Sequence, residues 1–277
     1  MTEAITKTTP PALQATVGSV LREWRAKRRM SQLELALDAE ISARHLSFVE
    51  SGRSSPSRDL LLILAERLAM PFRVRNRLML SAGYAPAYAE PSFDAPDMSG
   101  IRETVASILD GHDPFPAVAI DSRWTLVQAN RAASALFDSI DPVMLKPPLN
   151  VLRLSLHPQG LARHIVNLAE WHQHVLERLQ VQIEGSGDPF LSDLFRELSA
   201  YPAPAAPKAQ SRHSLLAVPL ELRMPGSEQV LRFISATTVF STATSVTLSE
   251  LALECFYPAD PETRSALMQL ETSWSNR

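Results

Sequence analysis

The chain has 277 residues, 45% of them hydrophobic, a length that suits two domains and a composition that excludes a wholly disordered polymer. Its net charge of −3 conceals an asymmetry: residues 13–83 carry 12 basic and 7 acidic side chains (+5), whereas residues 84–277 carry 14 and 22 (−8). A single Cys excludes an internal disulfide framework and a cysteine-rich zinc site, and no run of about 18 apolar residues offers a membrane span.

Residues 1–14 are polar and rich in Thr and Pro; they lack the apolar core of a secretory signal and read as a frayed tail. Val17, Val20, Leu21 and Trp24 then recur at helical spacing, with Arg22, Arg25, Lys27, Arg28 and Arg29 among and after them. Ser31 is an N-cap candidate, and Glu34 three residues later completes a capping box for a second short helix. A three-residue break, Glu40-Ile41-Ser42, leads to a third helix over 43–51, which Gly52 stops. A Leu-rich run at 57–70 predicts a fourth helix. Pro71 suits the first turn of a fifth that ends before Gly83. Five short helices with loops of a few residues make a compact all-α unit at 15–83.

Residues 84–100, with Pro86, Pro91 and Pro96, read as a linker. Beyond it the pattern is mixed. Helices are expected at 101–109, 130–137, 161–183 and 191–200, short strands at 117–120 and 124–128, and the run 150–156 is ambiguous. The runs 215–224, 230–238 and 246–256 are β-branched or alternating, separated by turn-like segments such as 224–227. The second domain, 101–277, is therefore α+β with an antiparallel sheet of about five strands.

The second and third helices, separated by a tight break, have the spacing of a helix-turn-helix, whose second helix enters the DNA major groove. Ala36 is small where the helices must approach closely, Ile41 can plug the turn, and Leu46 and Val49 share the inward face of the third helix. The outward positions are Ala43, Arg44, Ser47 and Phe48, with His45 at the flank. Arg44 suits guanine O6 and N7, while Phe48 and Ala43 suit a thymine methyl. Gln32, at a helix start, and Arg53, just past the reading helix, are phosphate candidates.

At this point the head resembles the Xre family of lambda-repressor/Cro-like helix-turn-helix regulators. The segments "SQLELA", S-x-x-x-L-S-x-x-E-x-G-R-x-x-P and "LAERL" match its pattern in order and spacing. The resemblance implies that Gln32, Ser42, Ala43, Arg44 and Phe48 face DNA. It also implies that Arg25 of the first helix pairs with Glu50, a partly buried ion pair that orients helices. Glu40 departs from the pattern: many members have Gly there, at a position that needs positive φ, and a non-Gly residue costs on the order of 1 kcal/mol.

The second domain shows no catalytic motif. His172-x-His174 points its rings to different faces of a helix, His164 lies two turns away, and Cys255 sits in an apolar strand, where an inert buried thiol is expected. No cofactor, metal or catalytic group is implied. Here "WTLVQANRAASALF", "NVLRLSLHPQGLARHIVNLAEWHQHVLERL" and "YPADPETRSAL" resemble the MmyB-like ligand-binding domain of bacterial regulators, over about 101–270. The resemblance implies a PAS-like fold with an apolar cavity for a small ligand, a fatty acid being one candidate.

An apolar tunnel with a polar mouth is what such a ligand needs. Asn150, Arg153 and His157 fall on one helical face among Val151, Leu152, Leu154 and Leu156. Arg153 suits a carboxylate, or else an internal salt bridge. Phe137, Trp171, Phe233 and Phe240 are candidate wall residues. The combined expectation is a cytoplasmic, homodimeric transcription regulator that binds an operator and senses a small apolar molecule, with no membrane partner. The alternative is a helix-turn-helix regulator or antitoxin-like protein whose second domain binds a protein partner rather than a small molecule.

Overall fold

A computed structural model of the protein describes residues 16–138, 140–204, 218–224, 228–240 and 243–274. The tail expected at 1–14 lies outside them. The chain divides into two compact units, Met1–Ala89 and Glu90–Arg277. The division falls inside the segment 84–100 read as a linker. Its first part belongs to the head: Tyr84 donates its hydroxyl to the Pro56 carbonyl, and the Asn76 amide holds the backbone of Ala87 and Tyr88.

The head consists of α1 (Val17–Lys27), α2 (Gln32–Asp38), α3 (Ala43–Glu50), α4 (Arg58–Arg67) and α5 (Phe72–Ser81). Local caps explain most of these boundaries. Thr16, Ser31, Ser42 and Ser57 each accept a backbone N–H from the first turn that follows. At Ser31 the capping box is complete, with Glu34 accepting from the Ser31 N–H. Pro71 precedes α5 at its N-cap and caps it with no side chain. Gly52 and Gly83 stop α3 and α5 with φ of 75° and 82°, a region that Gly adopts without steric cost. Leu21, Leu35, Ala36, Leu46, Leu61, Leu64, Leu78 and Met79 are wholly buried between the five helices, and Trp24 joins them at the core.

The second unit holds α6 (Ser99–Asp110), β1 (Ala117–Ile120), β2 (Leu126–Ala129), α7 (Arg131–Phe137), α8 (Val151–Leu156), α9 (Leu168–Ser186), α10 (Pro189–Ser199), β3 (Leu220–Arg223), β4 (Val230–Val239), α11 (Val246–Ser249), β5 (Ala252–Pro258) and α12 (Pro261–Trp274). The strands form one antiparallel sheet in the order β2-β1-β5-β4-β3, the PAS-like arrangement that the resemblance implied. Both faces are covered. Val118, Ile120 and Phe233 pack against helical residues such as Leu152, Trp171, Val175 and Leu179. On the opposite face Ala117, Ala119, Leu253 and Cys255 meet Val105 and Leu109 of α6. β5 alternates with period two, so Ala252, Glu254 and Phe256 share the first face while Leu253 and Cys255 share the second.

Three expectations need correction. The run 161–183 is not one helix: a 3-10 turn at Leu161–His164 is followed by extended Ile165, which bridges Leu222 of β3, and α9 starts only at Leu168. Asn167 holds this break by bonding the backbone of Pro219 and Glu221. The run 246–256 is not one strand: Ser245 caps a single helical turn, α11, before β5 begins. The strand expected at 215–224 reduces to β3, with 205–217 outside the described residues, as are 225–227 of the turn expected at 224–227. One element has no sequence-based expectation. α12 starts where Asp260 accepts the Thr263 N–H at 2.7 Å.

Candidate nucleic-acid interface and ligand cavity

The helix-turn-helix geometry rests on the turn between α2 and α3. Ala39 ends α2, and Glu40 takes φ of 54°, the left-handed conformation expected where the family pattern has Gly. The Ile41 N–H returns to the Ala36 carbonyl at 2.9 Å, and Ser42 caps α3 by accepting from His45 N–H at 3.1 Å. Leu46 and Val49 turn inward and are buried, as their spacing requires.

That leaves the opposite side of α3 exposed or half-buried. Ser42, Arg44 and Arg53 are exposed; Ala43, His45, Ser47 and Phe48 are half-buried. The Arg44 and Arg53 guanidiniums lie 5.4 and 6.0 Å from the Phe48 ring centroid. Two cations flanking one aromatic face concentrate positive charge and flat apolar surface at one place. Ser42 is also the cap, so its hydroxyl already serves α3. Ala43 leans partly on the head core rather than standing fully outward.

Behind this face lies a buried polar cluster. Arg25 pairs with Glu50 through two parallel bonds of 2.7 and 3.0 Å, and it also donates to the Met30 carbonyl. Glu50 is 3% exposed, and its hydrogen bonds to Arg25 raise the guanidinium above its ordinary value. Gln32 donates to the same carboxylate at 2.7 Å, which ties the start of α2 to the end of α3 and leaves its second amide hydrogen without a partner among the described residues. Some of the head's exposed positive charge is tied to the head itself. Arg28 donates to the Leu68 and Ala69 carbonyls at the end of α4, a role the sequence does not announce.

In the second unit a cavity lies between the sheet and α7, α8 and α9, about 890 Å³ including its opening to solvent. Val118, Leu220, Leu222, Phe233 and Phe256 supply the sheet wall. Phe137, Val151, Leu152 and Leu154 face them, together with Trp171 and Val175 of α9. The α9 contribution follows the helical repeat: Trp171, His174, Val175 and Arg178 stand at i, i+3, i+4 and i+7. Apolar walls with a few polar groups among them give this cleft the build of a small-molecule site.

Of the seven sequence-based ligand candidates, Phe137, Trp171 and Phe233 line the cavity and four do not. Asn150 is 6% exposed and caps α8, accepting from Leu152 and Arg153 N–H while donating to the Arg123 carbonyl. Arg153 forms the internal salt bridge, two bonds of 2.8 and 2.7 Å to Glu197. His157 stands edge-on to Tyr201, whose hydroxyl also donates to Glu197. The Arg153 hydrogen bonds hold the Glu197 carboxyl below its ordinary range, and burial, with Glu197, pushes Tyr201 up. The expected single helical face fails because α8 ends at Leu156 and His157 is extended. The side of α8 that meets the cavity is Val151, Leu152, Leu154 and Ser155. Phe240 packs in the cluster on the opposite face of the sheet.

The polar groups of the cavity are instead Ser155, His174, Arg178 and Glu254. Arg178 pairs with Glu254 through two bonds of 2.7 Å, lies 4.7 Å from the Trp124 ring centroid and also donates to Thr237. Glu254 is 4% exposed. Burial pushes its carboxyl up, but the Arg178 bonds and charge, with Thr237 and Ser235, outweigh burial and hold it below the ordinary value. His174 is lowered first by burial and then by Arg178. Ser155 accepts from the Trp171 indole at 2.9 Å. A signal for this group exists in the sequence: Glu254 is the one charge in the apolar run Leu251–Phe256, and a buried charge demands a partner.

Comparison with known proteins agrees with this division. Residues 21–74 match a helix-turn-helix family model. Among solved structures, two of the clp gene regulator ClgR from Corynebacterium glutamicum share 33% and 27% identity. They cover 26% and 38% of this chain and 92% and 99% of their own, with TM-scores of 0.22 and 0.23. The structure of an RNA-binding Light-Oxygen-Voltage receptor shares 13% identity over 94% of this chain and 64% of its own, with a TM-score of 0.23. No curated protein matches the chain. Residues 101–270 match the MmyB-like transcription regulator ligand binding domain, and with the helix-turn-helix head this places the chain in the family of DNA-binding MmyB-like transcription regulators.

Proposed function

We propose that the protein is a homodimeric regulator whose second unit holds a small apolar molecule, of the acyl-chain class to which fatty acids belong, and whose occupancy alters operator binding. The observation that carries the ligand is the cavity, walled by Val118, Phe137, Leu152, Trp171, Phe233 and Phe256. On the DNA side, Arg44, Phe48 and Arg53 form the reading and anchoring group, with Gln32, Ser42, Ala43, His45 and Ser47 around it. Pairing supports the dimer: one recognition helix reads only a few base pairs, and a two-fold operator doubles the contact. Among the described residues no helix is long and apolar enough to cross a membrane.

Native mass spectrometry of the protein as purified, with and without organic extraction, tests the ligand. The expected result is a co-purifying mass of a few hundred daltons that extraction removes. Binding to DNA upstream of its own gene and to a scrambled duplex, across a salt series, tests the head. Equal affinity for both duplexes would remove the operator reading.

A further inference from the structure

We propose that the cavity selects uncharged ligands, and that Glu254 imposes this by occupying Arg178, the one cation among the described residues that line it. The proposal rests on the apolar-ligand reading above and narrows it from acyl chains in general to those whose polar end carries no charge.

The geometry of the pair is the first ground. Both terminal nitrogens of Arg178 are committed to Glu254, one of them also donates to Thr237, and the guanidinium lies over the Trp124 ring. Thr237 in turn donates its hydroxyl to Glu254 at 2.8 Å. Thus the positive charge is balanced on the spot, by a carboxylate that strand alternation fixes on the cavity side of β5. A carboxylate ligand reaching Arg178 would either sit as a second anion beside the buried Glu254 carboxylate or displace it and leave it buried without its partner.

The second ground is what remains for a ligand to bond. His174 makes no hydrogen bond to another described residue, and burial, then Arg178, lower its imidazole below the ordinary value, which favours the neutral ring. It offers one donor or one acceptor, according to its tautomer. The Ser155 hydroxyl oxygen accepts from Trp171, which leaves its own proton to donate. An acceptor and a donor of this kind suit a hydroxyl, a carbonyl or an ester. Neither compensates the burial of an anion, which costs far more than that of a neutral polar group.

The test uses the full chain at pH 8, where free carboxylic acids are ionised. Dodecanol, methyl dodecanoate and dodecanoate are titrated below their aggregation limits. Binding is read from tryptophan fluorescence, since Trp124 and Trp171 line the cavity. The expected result is that dodecanol and the ester bind at least about ten-fold tighter than dodecanoate. In Glu254→Gln, whose Arg178 has no anion beside it, the ratio should move toward dodecanoate by about ten-fold or more. Equal affinities of dodecanol and dodecanoate for the unaltered protein overturn the proposal while leaving the apolar-ligand reading in place. An unchanged ratio in Glu254→Gln overturns the role given to Glu254. Should that variant not fold, the ratio in the unaltered protein decides alone. Absence of binding by all three molecules removes the apolar-ligand reading and this one with it.

Discussion

Two arginines of the head, near each other in sequence terms, do opposite work. Arg25 has an 18% exposed side chain, and it neutralises a Glu50 carboxylate that is 2% exposed. Removing it leaves a buried charge with only Gln32 to serve it, so Arg25→Ala should cost about 3 kcal/mol. A urea titration of the head's helical signal measures that loss. Arg44 is exposed and makes no ion pair with another described residue. Arg44→Ala should leave stability within about 0.5 kcal/mol. It should weaken operator binding by about 1–3 kcal/mol and relax the preference at one base position. A competition assay over single-base operator variants reads this outcome. If Arg44→Ala weakened all duplexes equally, Arg44 would be a phosphate contact instead.

At the scale of elements, close approach is what holds the reading helix in place. A Cβ added at Gly18 would sit 2.1 Å from the Glu50 carbonyl oxygen, a backbone atom that cannot rotate away. Gly18→Ala must therefore push α1 from α3, with an expected cost of about 1–3 kcal/mol. Faster hydrogen exchange in both helices, with α6 and β1 unaffected, is the expected signature. β5 carries the corresponding sensitivity in the second unit, through Glu254. Its folded value lies below the ordinary 4.5, so its contribution is present in full above 4.5 and is lost as pH falls through the lower value. The urea midpoint of the second unit should fall as pH drops below 4.5 through the lower folded value, and the fall should be smaller in Glu254→Gln.

The same contrast between local and distant contacts explains what the sequence discloses. The cap at Ser31 is legible because it bonds the N–H three residues on, and the caps at Ser42 and Ser57 are equally local. The whole helix-turn-helix follows from such local marks. The break at Ile165–Asn167 is not legible, because it depends on a strand more than 50 residues later. Of the cavity's polar pair only one half is legible: Glu254 stands out as a charge in an apolar run, but its partner Arg178 lies 76 positions away. Three aromatic wall residues are legible by type, as large apolar side chains, but Phe240 belongs to the other face of the sheet, and only strand register decides that.

For the whole molecule, the proposed regulation reduces to a coupling free energy between the cavity and the DNA-reading face. A ligand that binds two arrangements of the protein equally shifts nothing, however tightly it binds. If dodecanol changes operator affinity by some factor, linkage requires that operator DNA change dodecanol affinity by the same factor. Typical couplings are about 1–3 kcal/mol, or roughly 5–150-fold. The expected outcome is that operator titrations with and without dodecanol, and dodecanol titrations with and without operator, give one common ratio. The charge division makes the control specific. With +5 in residues 13–83 and −8 in residues 84–277, operator affinity should fall steeply with salt, whereas dodecanol affinity, resting on an apolar wall and an internally balanced pair, should not. The coupling ratio should therefore persist across the salt series while the absolute DNA affinity drops. A ratio that collapses with salt in step with that affinity would mean that dodecanol acts on DNA binding through charge rather than through occupancy of the cavity.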